Sequence, residues 1–508
     1  MNKLTLTLAA LFFGLTLGSA RAHDGIVVAS KTFTESYILG EIVKQTIQSA
    51  HETTVEHKKG LGKTGIVFAA LRNGSIDLYT EYTGTISEEL LKDKTITTLD
   101  QMNAKLAPMG LAVGVPLGFN DTYAFAMPEA TAAKLGISKI SDLAKHPELR
   151  FGLSHEFLSR SDGWPGVSAS YGLSSFQPKG IDHGLAYEAL ADGQIDVTDI
   201  YSTDAKINKY HLKVLEDDHK FFPAYDAVLL YRSDIPTRYP KSWAALQKLQ
   251  GTITASTMVK MNAAAELDHR SFADIAKTFL RSGAHANFSK SGKGPAGLLG
   301  TIFDTDFWRL TREHLYLVFV SLLASILTGV PLGILAAKKR MAASSILSAV
   351  GIIQTIPSIA LLVFLLSVTH TFGTVPALIA LFLYALLPIV RNTYSGLLDI
   401  PQSLRESADA LGLSWWHKLT IVEIPLASRS IMSGIKTSAV INVGTATIAA
   451  FVGAGGYGEK IVSGLAINDN TTLLAGAIPA ALLAIIIQLL FDGLDRWIIP
   501  AGLRSKRA

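Results

Sequence analysis

Two short stretches carry residue types that can hold a nucleoside phosphate. Residues 60–65 read GLGKTG and residues 291–297 read SGKGPAG. A phosphate-cradling loop needs a further glycine five residues before the one that precedes its lysine, and a hydroxyl after the lysine for magnesium. Position 57 is histidine, and Lys293 is followed by Gly294. Neither stretch is a phosphate loop, so ATP-driven work would fall to another chain. The chain has no cysteine, which removes disulfides, thiol catalysis and cysteine metal sites together. His155, His183 and His211 show no ligand spacing, so no metal is expected. Glu52, Glu56 and His57 share a short polar stretch, expected to be helical and to face solvent. No nucleophile assembles with a base, and no cofactor is expected. These readings argue against an enzyme.

The elements that would position any site divide the chain. With 508 residues and a mean hydropathy of +0.31, it is too long for one ordinary domain and too apolar to be wholly soluble. A net charge of +4 without a Lys/Arg block gives no reason to expect nucleic acid. Lys3, an apolar run over 4–17 and Ala20-Arg21-Ala22 follow the order of a secretory signal, expected to end at residue 22. Residues 23–286 alternate short apolar or β-branched runs (26–29, 111–115, 151–153, 228–231) with helical patterns, as two packed α/β lobes would. Residues 287–304 are rich in Gly, Ser and Lys and read as a linker. From 305 to 508 come apolar runs over 315–337, 346–368, 375–390, 431–452 and 472–491, about five crossings of a bilayer. Lys338-Lys339-Arg340, Arg391, Arg405, Lys418 and the tail Arg504-Ser505-Lys506-Arg507 all fall on one side, which marks the cytoplasm. The α/β part then lies on the opposite face of a plasma membrane, in agreement with the signal sequence. Within the spans almost no ionisable group occurs, which argues against a proton-coupled carrier.

Residues 391–430 form the longest cytoplasmic loop, with short helices expected over 404–411 and 415–421, Gly412 between them and Pro425 stopping the second. From the residues alone, such an elbow could dock on a partner or, given Trp415-Trp416, rest on the membrane surface. Glu406-Ser407-Ala408, Gly412 six residues after Glu406 and then Val422-x-Ile424-Pro425 resemble the EAA loop of ABC importer permeases. Ser407 departs from that pattern's usual alanine. The resemblance implies a MetI-like permease that works as a homodimer, with Glu406, Ala408, Gly412 and Pro425 in the loop that couples to a separate ATPase.

The outer part carries a second resemblance. SKTFTESYILGE (30–41), GSIDLYTEYTGT (74–85), GFNDTYAFAM (118–127), SRSDG (159–163), DVTDIYSTDAKI (196–207) and DDHKFFPAYDA (217–227) are similar to segments of the glycine betaine/choline/carnitine type of binding protein, in the same order. This implies a type II periplasmic-binding-protein fold. It further implies a cage of Tyr82, Tyr123, Tyr201 and Tyr225 for a quaternary ammonium, which cannot donate a hydrogen bond and is held by ring faces. Lys31, Arg160 and Thr85 occupy positions that would pair with a ligand carboxylate, although Lys31 could equally be a solvated residue at a helix start. Two cations left unpaired by choline would favour a zwitterionic betaine. Carnitine, proline betaine and ergothioneine would suit the same cage. Trp164, beside Arg160, could pack near the cleft or be structural. The expectation is a fused binding-protein and permease subunit of an ABC importer. A membrane-anchored ligand sensor stays as the rival.

Overall fold

In a computed structural model, the described residues are 25–283, 286, 288, 297–304, 306–369, 371–466 and 469–498. The expected signal sequence, most of the expected linker and the basic tail lie outside them. The chain falls into two compact units, the second starting at Leu298 and interrupted by Val462–Thr471, which group with the first. The last residues of the expected linker, Leu298–Ile302, are helical.

The first unit has two lobes. β1 (Gly25–Lys31) is buried along its whole length, as the central strand of a covered sheet must be, and its Ile26, Val27 and Val28 are accordingly apolar. It pairs in parallel with β2 (Thr54–Gly62) and β3 (Leu78–Tyr82). The sheet order is β2-β1-β3-β10-β4, with β10 (Ala227–Arg232) antiparallel between β3 and β4 (Leu111–Gly114). Helix α1 (Thr34–Ser49) packs on this sheet through Ile38, Leu39, Ile42 and Val43. The chain leaves lobe one after β4 and returns only at β10, so two strands of backbone cross between the lobes. They are pinned together where Asp121 N–H donates to the Tyr225 carbonyl at 3.0 Å and Ala227 N–H to the Phe119 carbonyl at 3.0 Å. An antiparallel strand inserted on the return pass is the topology of the type II binding-protein fold.

Lobe two is built on β5 (Tyr123–Pro128), which pairs antiparallel with β8 (Thr198–Tyr201) and β9 (Leu212–Val214), beside a parallel pair β6 (Gly152–Ser154) and β7 (Lys179–Ile181). Phe151, Phe157 and Trp164 each meet Phe125 edge to face, and Trp164 lies tilted against Phe151 at 5.4 Å. Trp164 is therefore a partly buried ring packed against the core. Glu56 and His57 lie on β2 rather than on a helix. Strand alternation sends Glu56 outward and turns His57 into the core, where its ring meets Glu41 Oε1 at 2.9 Å and Ser30 Oγ at 3.0 Å. Burial lowers the His57 pKa, although the Glu41 carboxylate acts the other way.

The second unit is helical. Phe307–Lys338, Thr374–Leu398, Trp415–Val452 and Asn470–Asp495 are each long and apolar enough to cross a membrane. The run expected as a second single span is instead two helices, Arg340–Thr355 and Ser358–Thr369, bent by 101°. The cause is local, because Pro357 holds Ile356 in extended backbone at ψ 125° and breaks the helical ladder. Pro425 likewise behaves differently from expectation. It sits in the first turn of the helix Ile424–Thr445, immediately after a π-helical turn Lys418–Glu423. Where the ladder already changes register, the missing N–H of proline does not end the helix.

Candidate functional site

The strand ends of both lobes meet around one narrow, partly open cleft. From lobe one come Lys31 at the end of β1, Tyr82 at the end of β3 and Thr85 in the turn beyond it. Lobe two supplies Tyr123 and Tyr201, which face each other across the β5–β8 register, and Arg160 from the loop after β6. Tyr225 stands on the crossing segment. All seven residues expected to bind ligand thus line the same space. Phe33, Thr64, Asp121 and Glu156 line it too and were missed. Phe33 and Asp121 lie in stretches already singled out, 30–41 and 118–127. Only the inward-facing position of each could have flagged them.

The rings form a continuous arc. Centroids run from Tyr82 to Phe33 at 6.4 Å, Phe33 to Tyr201 at 5.6 Å, Tyr201 to Tyr123 at 5.1 Å and Tyr123 to Tyr225 at 5.5 Å. Cations already lie over ring faces in this arc. Lys31 Nζ is 5.0 Å from the Tyr82 centroid and Arg160 Cζ is 5.5 Å from that of Tyr123. Burial raises the pKa of Tyr82 and of Tyr201 well above the phenol's ordinary value, so both stay neutral and hydrogen-bonding.

Beside the arc is a charged cluster, and here the expectation needs correcting. Lys31 is buried and donates to Glu81 at 2.6 Å, and Arg160 is held by Asp162 through two bonds, one of them Nε to Oδ1 at 2.7 Å. Glu156 approaches Arg160 at 3.7 Å. Burial alone would raise the Glu156 pKa, but Lys31 and Arg160 outweigh it and hold the carboxyl low. Choline would therefore leave no lysine or arginine unpaired. Cations taken out of water must be matched by the protein itself, and that removes the argument for a zwitterion from charge alone. Two hydroxyls bridge the lobes at this point. Arg160 Nη2 donates to Thr85 Oγ1 at 3.2 Å, and Thr64 Oγ1 donates to Glu156 at 2.7 Å.

In the second unit two helices meet at an elbow around Gly412, as expected, although the second runs on past Pro425. Gln402–Ala410 ends in Leu411, Gly412 takes a left-handed φ of +70°, and Ser414 Oγ accepts the His417 N–H of the next turn. Lys418 Nζ donates to Asp409 at 2.6 Å and ties the two helices together. Ala408 is buried in the elbow, and Glu406 is exposed and accepts from Gln402 at 2.7 Å.

The comparisons with known proteins agree with this geometry. Residues 24–282, more than half of the chain, match the family described as the substrate-binding domain of ABC-type glycine betaine transport systems. The chain belongs to that family. Residues 329–501 match the inner-membrane component of binding-protein-dependent transport systems, so one chain carries both importer parts. The glycine betaine/carnitine/choline transport system permease protein OpuCB of Bacillus subtilis (strain 168) is 39% identical over 197 residues, 39% of this chain and 90% of its own. The osmoprotectant import permease protein OsmW of Salmonella typhimurium (strain LT2) is 41% identical over 199 residues, 38% of this chain and 93% of its own. The ergothioneine transport permease/ergothioneine binding protein EgtU of Helicobacter pylori (strain G27) is 35% identical over 265 residues, 50% of this chain and 47% of its own. The chain is a membrane-embedded importer subunit.

Proposed function

We propose that this subunit captures a quaternary ammonium solute, glycine betaine or a related betaine, with choline and carnitine as further substrates, and passes it across the membrane. The arc of five rings carries the reading. Each face held near a desolvated ammonium contributes on the order of 0.5–2 kcal/mol, so only converging rings hold it against water. Tyr82, Tyr123, Tyr201 and Tyr225, with Phe33, take the methylated head. Arg160, Lys31 and Thr85 take the polar end, and a carboxylate there would compete with Glu156 for the same donors.

In the same reading, residues 1–22 are the signal sequence, 23–286 the binding domain on the outer side of a plasma membrane, and 305–508 the permease. The elbow around Glu406, Ala408, Gly412 and Pro425 docks on a separate ATPase, which supplies the ATP, and two copies of the permease form the path. An ergothioneine importer is the second reading, favoured by the Helicobacter relative, because ergothioneine also joins a trimethylammonium to a carboxylate. Uptake of radiolabelled glycine betaine, choline, carnitine and ergothioneine by proteoliposomes holding this chain and a cognate ATPase tests the proposal. ATP-dependent accumulation of at least one is expected, and accumulation of none would overturn it.

A further inference from the structure

Against the ring arc, with Asp121 on the cavity wall, lies a cluster of buried carboxyls. Glu35 on α1 is buried, as are Thr203, which follows β8, and Asp121 on the crossing segment. Thr203 Oγ1 lies 2.5 Å from Glu35 Oε2 and 2.8 Å from Asp121 Oδ1, both hydrogen-bond distances. A hydroxyl carries one hydrogen. It donates to one carboxyl, and the second contact then requires a hydrogen from the other carboxyl. The remaining neighbours do not supply it, since Tyr82 already spends its hydrogen on Glu35 Oε1 at 2.5 Å and Asn262 donates its own to Oε2 at 3.3 Å.

We infer that Glu35 and Asp121, joined through Thr203, form a proton-binding site that fills when the two lobes close. The inference rests on the proposed capture of a solute by closure. Glu35 and Asn262, on the helix Ala255–Glu266, belong to lobe one, whereas Thr203 belongs to lobe two, so opening the cleft breaks the bridge and admits water to Glu35. The charges acting on the pair share its sign, namely Asp204 and the two carboxyls on each other. Facing them from the packed elements are His183, which holds Asp204 at 2.9 Å, Glu266 opposite Lys206, and the Lys31–Glu81 pair below Tyr82. Burial pushes Glu35 from an ordinary 4.5 up to about 7, against the bonds from Thr203, Tyr82 and Asn262, and it pushes Asp121 well above the usual carboxylate range.

The closed form binds one more proton than the open form between about pH 4.5 and about pH 7. Within that window affinity falls by up to about tenfold for each unit of rising pH, and it levels off outside it. Two measurements on the purified full-length protein decide the matter. Infrared spectra at pH 6 should show a carboxylic-acid carbonyl band that is lost when Glu35→Gln and Asp121→Asn are combined. Its absence, or its persistence in that double variant, would overturn the site. Calorimetric titration with glycine betaine at pH 6, in two buffers of different ionisation enthalpy, should show close to one proton taken up per ligand bound. The combined Glu35→Gln and Asp121→Asn variant, which removes both carboxyls, should lower that uptake to zero. Binding with no uptake in the native protein would sink the coupling to closure. If glycine betaine gives no heat at all, the substrate reading fails, and the infrared band still decides the proton. Should the double variant not fold, the pH titration of the native band alone gives the answer, because a carbonyl that disappears near pH 7 supports the site and none above pH 5 refutes it.

Discussion

The two units solve opposite packing problems. At its cleft the binding unit buries ionisable side chains and matches each one: Lys31 with Glu81, Arg160 with Asp162, and Glu35 with Tyr82, Thr203 and Asn262. The membrane unit packs its helices on glycine. A Cβ at Gly333 would come within 2.5 Å of Thr393, and one at Gly434 within 2.7 Å of the Pro388 carbonyl. Recognition of a charged solute needs polar groups already oriented and desolvated. Helices in lipid gain nothing from burying oil against oil, so they gain from close backbone approach instead.

Substitutions that exchange these logics should show the difference most plainly. Arg160→Ala leaves Asp162 buried without its cation and should cost about 3–5 kcal/mol, read as a fall in the melting transition of the binding unit by near-ultraviolet circular dichroism. Gly333→Leu overpacks a helix contact and should cost about 1–3 kcal/mol, read as loss of monodisperse protein in detergent while ligand binding persists. Tyr201→Ala removes a ring from the middle of the arc and should weaken a quaternary ammonium by up to about 30-fold in calorimetry, with the melting transition of the membrane unit unchanged. Gly412→Ala puts a Cβ on a left-handed residue at a cost of about 1 kcal/mol. It should lower ligand-stimulated ATP hydrolysis by the partner and leave affinity alone.

The same contrast explains what could be read from the chain. Short strands such as 26–29 and 228–231 were legible because β-branched runs bounded by turns admit few alternatives, and the spans were legible because apolar length alone defines them. The break at Pro357 was also present in the sequence, as a proline inside an apolar run, but the length of that run suggested one crossing. His57 was misread because period-two alternation over a polar strand resembles a solvated face until the buried partners Glu41 and Ser30 are known. The four tyrosines, Lys31, Thr85 and Arg160 came from segment resemblance, and the fold places them around one cavity. Glu81 as the partner of Lys31, 50 residues away, has no local signal, so the charge balance of the site could not be foreseen. Phe33 went unnoticed because a phenylalanine near a helix start reads as ordinary core.

Ring faces hold a positive charge in the proposed site, and a charge-deleting isostere tests this most directly. Choline and its carbon analogue 3,3-dimethylbutan-1-ol share a shape and differ in the ammonium. Titrated into the full-length protein, choline should bind at least about tenfold more tightly, the equivalent of one to two ring contacts. Equal affinity for the two, or binding of the carbon analogue alone, would show that the arc is only an apolar pocket and would contradict the proposed recognition.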